Sequence, residues 1–162
     1  MRRNTDRPTE MAIGLAAGRL FDELPKETRR TLTGLPDTVQ RLEGDARTLR
    51  VQVAELNSVL VEIGDDPAAA GAEARAKVRA EVAATRDEAQ GCLREAVTAL
   101  ETIRLGLLRL HTGECVLHSV TVELEAARDL SGDMANLLEG HREVERLLAE
   151  RRETGMFTIV EE

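Results

Sequence analysis

Aromatic residues are almost missing from this chain. Phe21 and Phe157 are the only two in 162 residues, with no Trp and no Tyr. That leaves no stacking platform for single-stranded nucleic acid. Clustered Lys and Arg are lacking too: net charge is −8, and residues 51–162 alone carry −10 against +2 in residues 1–50. A broad phosphate-binding surface is therefore not expected. Two cysteines, Cys92 and Cys115, do not make a disulfide scaffold. The longest early apolar stretch, Met11 to Ala17, is closed by Arg19. It is about a third of the length a membrane span needs. Asp6 and Glu10 sit badly for a signal peptide, and Phe21-Asp22-Glu23 does not resemble a cleavage site. A cytoplasmic location is the expectation.

Catalytic signatures are absent as well. The sequence holds no glycine-rich phosphate loop, no HExxH, no calcium-binding EF-hand loop and no kinase signature. Ser58, Ser119 and Ser131 lie in helical patterns without a His–Asp arrangement nearby. No enzymatic activity and no cofactor are expected.

What is present is helix-forming material. Ala, Leu, Glu, Arg and Lys make up 86 of 162 residues, the composition of coiled coils and long helices. A core of Leu, Val and Ala suits close helix–helix packing. Four prolines punctuate the chain at 8, 25, 36 and 67. Residues 1–8 read as a disordered arm. Thr9 is placed to cap a short helix to Leu24, where Gly14 and Gly18 form a small-xxx-small pair for tight packing. Pro25 opens a second short helix to Leu32, and Pro36 opens a long one.

That long helix carries the most regular feature of the chain. Leu35, Val39, Leu42, Ala46, Leu49, Val53, Leu56, Leu60 and Ile63 follow a four–three spacing without a break. On an α-helix this is one apolar stripe, a heptad seam. Val39, Ala46, Val53 and Leu60 form one layer set; Leu35, Leu42, Leu49, Leu56 and Ile63 form the other. β-Branched residues in the first and Leu in the second favour a two-stranded parallel coiled coil. Asp45 and Arg50 flank the seam where partners pair across such an interface. Val51, Val59 and Val61 lie off the stripe and grease a second side, so the same seam also suits packing inside one chain. Gly64-Asp65-Asp66-Pro67 ends the helix.

A second long helix is expected from Pro67 to His111. Its Ala-rich first part has only Val78 and Val82 as buried candidates. Ala89, Leu93, Ala96, Leu100, Ile103, Leu107 and Leu110 then keep the four–three spacing, with Val97, Leu105 and Leu108 beside them. This end is expected at the centre of the fold, and the Ala-rich end as a solvated stalk. After Thr112-Gly113 a third helix is expected from Glu114 to Arg152. Its stripe is Val120, Leu124, Ala127, Leu130, Met134, Leu137, His141, Val144 and Leu148, with one extra three-residue step. Thr154-Gly155 would end it, leaving a flexible tail over 154–162.

His111, Cys115 and His118 have an HxxxCxxH spacing that would share one face of an unbroken helix and grip a soft metal. Gly113 interrupts that helix, and no fourth ligand is evident. The simpler reading makes Cys115 a small residue beside a turn and the histidines surface or capping groups. Paired Glu-x-x-His motifs of di-iron bundles are missing.

The stretch from Leu24-Pro25 through Val39-Gln40-Arg41-Leu42-Glu43, and the block Ala99-Leu100-Glu101-Thr102-Ile103-Arg104-Leu105-Gly106-Leu107-Leu108-Arg109-Leu110-His111, resemble helical regions found after the catalytic domain of some bacterial serine/threonine protein kinases. The resemblance covers about residues 20–150 and includes nothing of the kinase domain. It implies a regulatory or assembly segment and no catalytic residue.

The sequence therefore predicts an all-α chain: an elongated antiparallel helical bundle or coiled coil with three long helices and short N-terminal helices over 9–153. Its expected function is a non-enzymatic oligomerisation or protein-interaction module, scaffolding or regulatory in bacterial signalling. Self-association as a homodimer, or docking of another helical protein, would run through the seam, with no nucleic acid and no membrane span. The alternatives are a small-ligand or metal-sensing bundle and a regulatory tail of a serine/threonine kinase.

Overall fold

The computed structural model describes residues 9–114 and 116–156, the side chains of 148 and 151–156 excepted. The expected arm 1–8, Cys115 and most of the expected tail lie outside the described residues. Among the described residues the chain is all-α: α1 (Thr9–Asp22), α2 (Lys26–Thr31), α3 (Leu35–Ile63), α4 (Ala72–His111) and α5 (Leu117–Met156). No described helix is long and apolar enough to cross a membrane.

Two compact units divide the chain, Met1–Ser131 and Gly132–Glu162. In the first, α3 packs along α4, and α1 packs on both. The 29 residues of α3 span about 44 Å. The core is aliphatic: Leu35, Leu42, Leu49, Leu100 and Leu107 are fully buried, with Ala46 and Ala96 between them. Alanines at these positions let helix axes approach closely. The early part of α5 belongs to this unit and adds Val120, Leu124 and Ala127 to the buried set. The second unit continues α5. Along it Met134 and Leu138 are buried, Leu137 and His141 half-buried, and Val144 and Leu147 exposed.

Helix ends differ from the sequence reading where turn chemistry intervenes. α4 starts at Ala72, not at Pro67. The Asp66 carboxylate accepts the Ala68 N–H at 2.9 Å, holding a turn, and Gly71 takes a left-handed φ of 77° before the helix begins. α4 then ends as expected at Gly113, also left-handed. The Glu114 N–H bonds the Arg109 carbonyl at 2.9 Å and the Gly113 N–H bonds that of Leu110. This is a Schellman closure, which uses up the orphan carbonyls. It delays α5 to Leu117. At its other end α5 continues through Thr154-Gly155 to Met156. A glycine costs a helix about 1 kcal/mol but stops it only by leaving the helical conformation.

Two cations outside the seam hold helix ends in place. The Arg79 guanidinium donates to the carbonyls of Leu60 and Gly64, at 3.0 and 3.2 Å, and so caps the C-terminus of α3 from α4. Arg128 of α5 donates to the Thr33 carbonyl before α3. Neither role is visible in apolar spacing.

Candidate interaction surface

The seam residues fall into two groups. Leu35, Val39, Leu42, Ala46 and Leu49 are buried within the chain, none more than 6% exposed. Beyond them only Leu60 is buried, while Val53, Leu56 and Ile63 are half-buried. On the same part of α3, Val51, Val59 and Val61 stand exposed, Val61 to 81%. The change follows from what α3 packs against. Glu10, in the first turn of α1, meets α3 at Arg50, the residue after the last of the buried run.

That meeting ties α1 to α3 through a polar contact. Arg50 Nη2 and Nε lie 2.6 and 3.1 Å from the two carboxylate oxygens of Glu10, a fork-on-fork pair. Glu10 is fully buried, whereas the Arg50 side chain keeps 47% of its exposure. The guanidinium holds the Glu10 carboxyl below its ordinary range, against the opposing effect of burial. Asp45, on the far side of the seam, accepts a bond from Ser131 Oγ at 3.3 Å. Both charges placed beside the seam as inter-chain partners are thus used within the chain.

Three carboxyls titrate the other way. Burial pushes Glu43, Asp45 and Glu123 above their ordinary values. Glu43 lies over Gly14, where a Cβ would collide with its carboxylate; Gly18, the other half of the small pair, has open space beside it. Glu123 of α5 lies over Gly106 of α4 in the same manner. Its Oε2 is buried and has no hydrogen-bond partner.

The sign of the resulting pH dependence follows from linkage. A carboxyl whose folded value is raised binds its proton more tightly in the folded state. Stability falls as pH rises from the unfolded value, about 4.5 for Glu, through the raised one. Glu123→Gln removes the charge while keeping the shape. It is expected to raise stability at pH 7 by about 1 kcal/mol. It should also flatten the dependence of Tm on pH just above 4.5. Thermal melts followed by circular dichroism between pH 4.5 and 7 check both.

Two grooves flank these carboxyls. One, about 520 Å³, runs between α1 and α3 past Met11, Leu15, Gly18, Val39 and Glu43. The other, about 570 Å³, runs between α4 and α5 past Glu95, Ala99, Thr102, Val122, Glu123 and Ala126. The α4 and α5 faces beside the second groove keep Leu105 and Val122 exposed, to 42% and 50%. Off-stripe Leu108 is exposed too, at 39%. The centre of the fold is therefore packed on fewer sides than the sequence reading expects. In the Ala-rich part of α4, Val78 is 48% exposed, not buried.

The candidate metal residues are not gathered among the described residues. His111 Nε2 lies 3.8 Å from a Glu23 carboxylate oxygen, at the C-terminus of α4. His118 is exposed in the first turn of α5, beyond the Gly113 turn. No described group of three or more His, Cys, Asp or Glu side chains is arranged to hold a metal ion. Burial, with the charges of Glu95 and Glu88, pushes the Cys92 thiol up, away from nucleophilic chemistry at neutral pH.

Comparison with protein-family models, curated proteins and solved structures finds no match. The likeness to kinase-appended helical regions therefore stands on its residues alone.

Proposed function

We propose that this chain is a non-enzymatic helical interaction module, an antiparallel bundle with coiled-coil seams that associates with a second copy or with another helical protein. The observation that carries the reading is the incompletely covered aliphatic surface on the distal half of α3, with exposed Val59 beside half-buried Leu56 and Ile63 and with Val51 and Val61 exposed on other sides of the helix. A solvated helix has no use for so many valines, since β-branched residues are mediocre helix formers. They gain by burial, about 0.8 kcal/mol per CH₂ covered. Val59 lies three residues from Leu56 and four from Ile63, so these three share one face, and an exposed apolar face of this kind marks association surfaces.

On this reading the seam has two tasks. Its first half, Leu35 to Leu49, ties α3 to the rest of the chain. In its second half, half-buried Leu56 and Ile63 join exposed Val59 in contacts with a partner. The bacterial signalling and kinase-tail contexts fit such a module, because assembly segments need surfaces and no catalysis.

Multi-angle light scattering tests the proposal. The chain mass is 17.8 kDa, and a dimer would weigh twice that. The mass is expected to rise with concentration, and Leu56→Asp with Val59→Asp to return it to the monomer value without loss of helicity. A monomer mass at every concentration would remove self-association and leave only a foreign helix as partner.

A further inference from the structure

We propose that the groove between α4 and the early part of α5 is a docking site for a basic amphipathic helix of another protein, read by Glu123 and Glu95. The proposal deepens the interaction-module reading and rests on it.

Its floor is small and apolar, built on Ala99, Ala126 and Ala127, and Val122 stands half exposed at its edge. Small residues on both helices let a third helix come close, to roughly 8–10 Å between axes. The polar equipment is one-sided. Glu123 has no hydrogen-bond or ion-pair partner among the described residues; the charge of Arg109 reaches it without contact. Glu95 has none either, and Arg94 occupies the rim beside it.

Glu123 is a built feature. A Cβ on Gly106 would lie 2.4 Å from its Oε2, so the carboxylate rests where only glycine allows. A glycine inside a helix weakens it, and a buried unpaired oxygen costs stability again. A cation brought into the groove beside Glu123 offsets part of that cost by charge, since Oε2 itself is closed to direct contact.

Charge selects the occupant. Glu123 lies at the level of Gly106 and Glu95 lies 11 residues earlier on α4, so the carboxylates are about 16 Å apart along the groove. A helix with aliphatic residues on one face and Lys or Arg about 11 positions apart meets both. A second copy laid face to face here would set Glu95 of one chain near Glu123 of the other, like against like.

The test uses a designed, fluorescently labelled peptide of about 18 residues, with Leu on one face and two Lys three turns apart. Anisotropy with the full chain is expected to show saturable binding. Replacing both Lys by Glu should weaken it at least ~10-fold. Glu123→Gln should weaken the Lys peptide several-fold while the protein melts at a higher temperature. Thr102→Arg, at an exposed groove position, should abolish binding with the fold intact. Equal binding of the Lys and Glu peptides, or no binding by the helical wild-type chain, would overturn the proposal. So would binding unchanged in both variants. Light scattering reads separately: concentration-dependent mass without peptide binding sinks the groove but keeps the module, and a monomer that binds the peptide removes self-association and keeps the groove.

Discussion

Leu49→Asp is expected to unfold the first unit rather than merely separate two chains. Leu49 is fully buried, at the level where α1 begins to cover α3. Truncating such a leucine to alanine costs about 2–5 kcal/mol. An unpaired carboxylate in the same place adds a desolvation penalty of several kcal/mol. The sum reaches the whole stability of a typical domain, about 5–15 kcal/mol. Circular dichroism should show lost helicity or a melt shifted far down. Leu56→Asp makes the comparison, because Leu56 is half-buried and its carboxylate keeps contact with water. That variant should stay helical and lose association instead. If Leu49→Asp keeps its helices and only changes mass, the seam closes between chains.

Arg50→Met gives the second largest effect. It leaves the buried Glu10 carboxylate without its fork of two bonds. Removing one partner of a fully buried pair costs about 3–5 kcal/mol. Half of the Arg50 side chain faces water, so screening already weakens this pair and about 2 kcal/mol is the expected loss. Its pH signature identifies it. The Glu10 carboxyl is lowered in the folded state, so its contribution is present above the unfolded value near 4.5 and lost as pH falls through the lower folded one. Arg50→Met should therefore be less stable than wild type at pH 7, with the gap closing below pH 4. Replacing both residues, Glu10→Leu with Arg50→Met, should recover much of the loss. Urea unfolding at the two pH values checks all three statements.

These two residues also show what was legible beforehand. Four–three spacing identified the face of α3 that is buried, because burial is the only force that sets a 3.6-residue period. Spacing is the same whether the stripe meets its own chain or another, so Leu49 and Leu56 look alike in sequence and differ in structure. What separates them is burial by residues remote in sequence; near Leu49 one such contact is the pair Glu10 and Arg50, 40 positions apart. Such pairs leave no local trace. Asp45 beside the seam resembled an inter-chain charge for the same reason; Ser131, which claims it, is remote in sequence. The Gly113 break was readable from a single residue, since a left-handed turn after a helix is a local matter. Glu123 was not, because Gly106 and Glu123 look ordinary until α4 and α5 are laid together.

The central claim is that the seam is closed inside the chain from Leu35 to Leu49 and only partly covered beyond it, where Leu60 alone is buried. Native-state amide hydrogen exchange, followed residue by residue at high and at low protein concentration, tests it most directly. The slowest amides should be those around Leu42 and Leu49, unchanged on dilution. Those around Leu56 to Ile63 should exchange faster and lose protection as the chain is diluted. Protection at Leu42 and Leu49 that disappears on dilution would contradict the account.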